Sequence, residues 1–158
     1  MNLDEQVRDL IDNAPQDGTT PALVEAIAPV LKHLATQLRH PQYYVVQSLD
    51  KSWVVNIISH NTESNLERKV IYAFSTLKDV SLGPVSVKDP QMIALPVPVV
   101  HILFQMAAME GVDSVIFFET PGNAMIGTEI QRSQLQELIQ IQLYGQVNPA
   151  VEIRPDIA

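Results

Sequence analysis

Between Glu67 and Ile141 the sequence alternates short strand-like runs with longer helix-like runs, which restricts the chain to folds that pack helices on a sheet. ERKVIYAFS, QMIALPV and VDSVIFFET are rich in β-branched and aromatic residues, as strands are. STLKDV, PVVHILFQMAAMEG and SQLQELIQIQL instead space their apolar residues as helices do. The run from Ser114 to Glu119 is almost wholly apolar, the pattern of a strand covered on both faces.

Upstream, Leu3, Val7, Leu10 and Ile11 mark a first helix that stops near Ala14-Pro15. A second starts with Thr20 as cap and Pro21 in the first turn, and its stripe is Ile27, Leu31, Leu34 and Leu38. Pro29 predicts a kink or a break within it. YYVVQSL and SWVVNIIS, separated by Asp50-Lys51, read as a hairpin. A third strand runs from Lys69 to Phe74, Ser75 caps a short helix through Val80, and a strand near Val85–Val87 precedes the strand Gln91–Val97. The next helix opens at Pro98, runs to Glu110 and stops at Gly111. Pro121-Gly122 suits a type II turn, and Ser133 with Gln136 resembles a capping box for a last helix ending near Gly145. The reading is one α/β domain over residues 1–145, with α+β as the alternative: helical over 1–40, sheet-containing over 41–145, with an irregular tail over 146–158. Its mixed sheet should hold about five strands, with helices packed on it.

At 158 residues and 46% hydrophobic, the chain can bury a core of its own, and no apolar run nears the roughly 20 residues of a membrane helix. The acidic, amphipathic start MNLDEQVRDLIDN is neither a secretory signal nor a transit peptide, and there are no cysteines, so a cytoplasmic location is expected. A net charge of −8 disfavours nucleic acid as a partner. Residues 32–88 run against that balance, with seven bases to four acids, a pattern that also suits a mildly basic face for an acidic peptide.

Catalytic motifs are absent from the sequence. His33, His40, His60 and His101 have no metal-ligand spacing, there is no nucleophile elbow, and there is no phosphate-binding glycine loop. TPGNAMIGTE, from Thr120 to Glu129, reads as a turn leading to the last helix. Glu110, Asp113, Glu119 and Glu129 cluster in sequence, and buried acid pairs can do acid–base work. Here they flank element ends, where charges ordinarily meet water. No metal and no cofactor is expected.

The aromatic and methionine residues are the stronger lead. Tyr43, Tyr44 and Trp53 should face one another across the hairpin, and adjacent Tyr43 and Tyr44 must point to opposite faces, as must Phe117 and Phe118. With Tyr72, Phe74 and Met125 these are the candidate peptide-binding residues, set against the alternative that they fill the core.

From Lys69 to Ile139 the chain resembles the SseB N-terminal-type domain. The likeness lies in a strand running into Ala73-Phe74-Ser75-Thr76-Leu77, then the strand from Gly111 to Phe118, a Pro-Gly turn and a closing helix. The resemblance implies a small α/β accessory or interaction domain without assigned catalytic residues. In its small, acidic, glutamine-rich character the chain is also similar to assembly factors of photosynthetic bacteria, the carboxysome-shell chaperones among them, which implies a shell protein's terminal peptide as partner.

The expected function is therefore a non-enzymatic adaptor or assembly chaperone that holds a short terminal or extended segment of another protein, with neither nucleic acid nor membrane as partner. Two alternatives stand beside it. One is a small-ligand sensor or enzyme with a dispersed acidic site near Glu119, Glu129 and Tyr72. The other is a self-associating structural subunit whose homodimer face uses Pro96, Pro98 and the methionine-bearing helix.

Overall fold

The computed structural model describes residues 2–59, 67–82, 92–123 and 127–147. Among them are five helices and six strands: α1 (Leu3–Asp12), α2 (Thr20–Thr36), β1 (Gln42–Ser48), β2 (Asn56–Ser59), β3 (Glu67–Phe74), α3 (Leu77–Leu82), β4 (Met92–Pro98), α4 (Val99–Ala108), β5 (Ser114–Phe118), β6 (Thr128–Gln131) and α5 (Arg132–Val147). His60, the strand expected near Val85–Val87, Met125 and the tail from Asn148 lie outside the described residues.

The strands form one mixed sheet in the order β4-β1-β3-β5-β6, with β2 also paired to β3. Only β3 and β5 run parallel; the other pairs are antiparallel. The fold is thus α/β with helices on a mixed sheet. One face is covered by α1, α2, α4 and α5, whose apolar residues close over Tyr43, Val45, Ile71, Ala73, Val115 and Phe117. The opposite face carries Val46, Phe74 and Phe118, and α3 is the helix that reaches it, through Val80.

Several local expectations change. The turn at Asp50-Lys51 forms, with Lys51 in the left-handed region at φ 69° and its N–H donating to the Ser48 carbonyl. The second arm, however, leaves β1 almost at once. Val54 N–H reaches the Val46 carbonyl and Trp53 bridges Gln47, and then β2 pairs with β3. The chain from Ser52 to Ser59 therefore serves β1 first and β3 afterwards. Trp53 does not face Tyr43 or Tyr44: Tyr43 lies opposite Val97 and Tyr44 opposite Pro96 on β4.

Pro29 does not break α2, which runs continuously through it. The proline is exposed, so its ring sits on the solvent side, while Val24, Ile27, Val30, Leu31, Leu34 and Ala35 hold the opposite stripe in the core. Thr20 is the first helical residue rather than the cap. The Asp17 carboxylate accepts from Thr19 N–H (2.9 Å) and Thr20 N–H (2.7 Å) instead. Helix α4 ends at Ala108, short of Gly111, because the Arg132 guanidinium donates to the carbonyls of Met106 and Ala107 at 3.2 and 3.1 Å. Met106 of that helix points into the core. Thr128 and Glu129 stand in β6 rather than in the expected turn, and α5 follows β6 without a break, starting at Arg132.

Candidate functional site

Strand alternation sorts the aromatic pairs. Tyr43 and Phe117 turn toward the helices and are buried there, with ring centroids 4.9 Å apart. Tyr44, Tyr72, Phe74 and Phe118 turn to the opposite face. The pairing registers Tyr44↔Phe74 and Phe74↔Phe118 put three of them in one row across β1, β3 and β5. Phe74 and Phe118 stack with centroids 5.2 Å apart, and Tyr72 lies 5.6 Å from Phe118.

This face has two levels. Phe74 (1% exposed) and Phe118 (3%) are interior, packed with Val80 of α3. Around them Tyr44, Tyr72, Met92, Ala94 and Ile116 are only half-buried and form an apolar shelf. Burial raises the Tyr72 phenol above its ordinary value although the nearby Arg68 charge opposes the shift.

The shelf runs into a polar end. Arg68, Ser114 and Glu129 share its side of the sheet: Arg68 pairs with the Glu129 carboxylate at 2.5 Å, and the Ser114 hydroxyl donates to the same oxygen. Burial disfavours the charged form of Glu129, yet the hydrogen bonds from Arg68 and Ser114 and the Arg68 charge outweigh it and hold the carboxyl below its ordinary value. These three residues line a cavity of about 370 Å³ with Glu67, Glu110, Asp113 and Arg132. Asp113 accepts from Lys69 N–H at 2.8 Å, which ties the starts of β3 and β5 together.

The four clustered acids do not form one site. Glu110, Asp113 and Glu129 meet at this end, whereas Glu119 lies beyond the other end of β5, roughly 16 Å away at the rise of an extended strand. Glu119 is buried and fully engaged. Its carboxylate accepts from the Tyr43 hydroxyl and from Arg39 N–H (3.1 Å), while His40 Nε2 lies 2.6 Å from its backbone carbonyl oxygen. Burial, then the hydrogen bond to Glu119, pushes the Tyr43 phenol well above its ordinary value. Buried Asp79 plays a similar part at the same end, accepting from Gly122 N–H at 3.0 and 3.1 Å and so fixing the Pro121-Gly122 turn. Gly122, at φ 86°, supplies the left-handed residue that this turn needs.

Of the expected peptide-binding residues, Tyr44 and Tyr72 are at the surface of the shelf. Phe74 and Phe118 lie beneath it, and Tyr43 and Phe117 belong to the opposite core. Trp53 is on the helix side, lining a groove of about 320 Å³ with Leu10, Pro15, His101 and Phe104. The sequence does not single out Ile116, nor does it join Arg68 to Glu129; the two charged residues are 61 positions apart, so no local pattern links them. Two of the bases that make up the excess over residues 32–88 stand on opposite sides of the sheet. Lys32 pairs with Asp4 among the helices, while Arg68 pairs with Glu129 on the other side of the sheet. Among the described residues no helix is long and apolar enough to cross a membrane and no group of acids and histidines is placed to hold a metal ion. Comparison with protein families, with curated proteins and with solved structures finds no match to this chain.

Proposed function

We propose that the chain is a non-enzymatic binding module that holds a short, extended segment of another protein against the shelf of its sheet. The observation that carries this reading is the junction of shelf and charged cavity: half-buried Ile116 is paired with Glu129 across β5 and β6, and half-buried Tyr72 lies near the Arg68 charge. An extended segment directs alternate side chains to one side, so its apolar residues can lie on the shelf while a terminal or flanking group enters the cavity. That cavity holds the carboxylates Glu67, Glu110, Asp113 and Glu129 against two guanidiniums. Both guanidiniums are already engaged, Arg68 with Glu129 and Arg132 with α4. A basic group on the partner segment is therefore the better complement, in place of the acidic peptide expected from the charge distribution. A terminal peptide of a shell protein, the partner implied by the resemblance to assembly chaperones, would be one such segment if it carries that pattern.

The division of the four acids between two ends, and the full engagement of Glu119, support binding over acid–base chemistry. The cavity falls within the usual size range of small-ligand sites, which keeps a ligand-sensing role as the second reading. Affinity capture from a cell extract, with crosslinking mass spectrometry, tests the choice. The module reading expects a dominant partner joined through a short segment to residues around the shelf. Capture of no partner by a folded bait, together with thermal stabilisation by a small molecule, would favour the sensor.

A further inference from the structure

The helix layer carries a second surface, unrelated to the shelf. Between α2, α4 and α5 lies a groove of about 360 Å³ lined, among the described residues, by apolar Leu23, Ile27, Phe104, Ala107, Ala108 and Ile139 and by polar Gln136 and Gln140. None of these side chains is ionisable. One turn beyond Gln140 on the same helix stands Tyr144, 55% exposed, with Ile141 beside it at 63%; Leu23 on the groove rim is 43% exposed. Residues four apart share a helix face, so Gln136, Gln140 and Tyr144 form one outward strip that joins the groove to an exposed ring.

We infer that this strip is a homodimer interface, with a second copy of the chain as its occupant. Two features favour a copy over an unrelated partner. The groove is centred near residues 136–140 and the projecting ring is at 144, about one helical turn further on, so a two-fold axis crossing α5 between them sets each Tyr144 over the other copy's groove. The contact is then self-complementary. Charge also selects the place. Each copy carries −8, and repulsion between like-charged copies is least where the facing surfaces are neutral; α5 has no acidic or basic residue from Leu138 to Val147. Glu137 lies at one margin of the strip, and the same axis places it against the uncharged end of the partner helix.

Sedimentation velocity from roughly 1 to 200 μM, the range in which weak dimers dissociate, reads this directly. The wild-type chain should pass from monomer to dimer across that range. Tyr144→Asp on the projecting side and Leu23→Asp on the groove side should each weaken the dimer by at least about tenfold with circular dichroism unchanged. Ile57→Asp, at an exposed position on β2, should leave it intact. A wild-type chain that stays monomeric throughout, or a dimer that survives both Tyr144→Asp and Leu23→Asp, would overturn the assignment.

Discussion

Glu119 shows how much a single buried carboxylate can organise. It takes the Tyr43 hydroxyl and the Arg39 N–H, and its backbone carbonyl takes His40, so the segment before β1 is tied to the end of β5. Tyr43→Phe removes one of these donors and leaves a buried carboxylate short of a partner, at an expected cost of about 1–3 kcal/mol in urea unfolding. An unchanged midpoint would show that the hydroxyl adds nothing. The same phenol predicts a pH dependence. Its folded-state pKa is raised above the ordinary value of 10.0, so its contribution is complete below that pH and is lost as the unfolded chain begins to ionise above it. Stability above pH 10 should therefore fall less steeply in Tyr43→Phe than in the wild-type chain. The split of Tyr43 from Tyr44, and of Phe117 from Phe118, is legible in the sequence, because neighbours on a strand must diverge. The burial of Glu119 is not. Its phenol partner is 76 positions away, and an acid at a strand end ordinarily meets water.

Among the elements, α2 keeps a proline that its own propensity opposes, because six buried side chains on one stripe hold the helix to the core. Pro29→Ala restores an internal hydrogen bond on the exposed side and should stabilise the chain, by up to about 3 kcal/mol less the entropy that proline removes from the unfolded state. A lowered melting temperature would instead mean that the proline shapes the helix for its packing. Gly127 makes the opposite case. A Cβ there would sit 2.8 Å from the Phe117 carbonyl oxygen and 2.8 Å from Ile116 Cγ2, with Phe118 Cδ1 at 3.2 Å. Gly127→Ala should cost about 1–3 kcal/mol in chemical denaturation, and a neutral effect would mean that β6 can move away from β5 freely. Helices and most strands could be read from periodicity, which is a local property. β6 could not: four residues with Ile130 as their one buried apolar side chain leave too faint an alternation. The fate of β2 was hidden for a different reason, since its partner is chosen by the position of β3 rather than by the turn that precedes it.

At the scale of the molecule, four helices crowd one face of the sheet, and among the described residues only the six-residue α3 covers the other. That imbalance underlies the proposed function, and neither the covered face nor the meeting of Arg68 with Glu129 could be inferred without the strand order. The aromatic residues are evident from composition, but composition does not separate shelf from core. Whether a segment lies on the shelf is read by titrating the isotope-labelled chain with the captured partner segment as a synthetic peptide and following amide shifts by NMR. Binding on the shelf should centre the shifts on Tyr44, Tyr72, Ile116 and Arg68, and folded Tyr72→Ala should lose about 1–3 kcal/mol in binding, as for an interface anchor. Shifts confined to the helix layer, or equal binding by the wild-type chain and Tyr72→Ala, would contradict it.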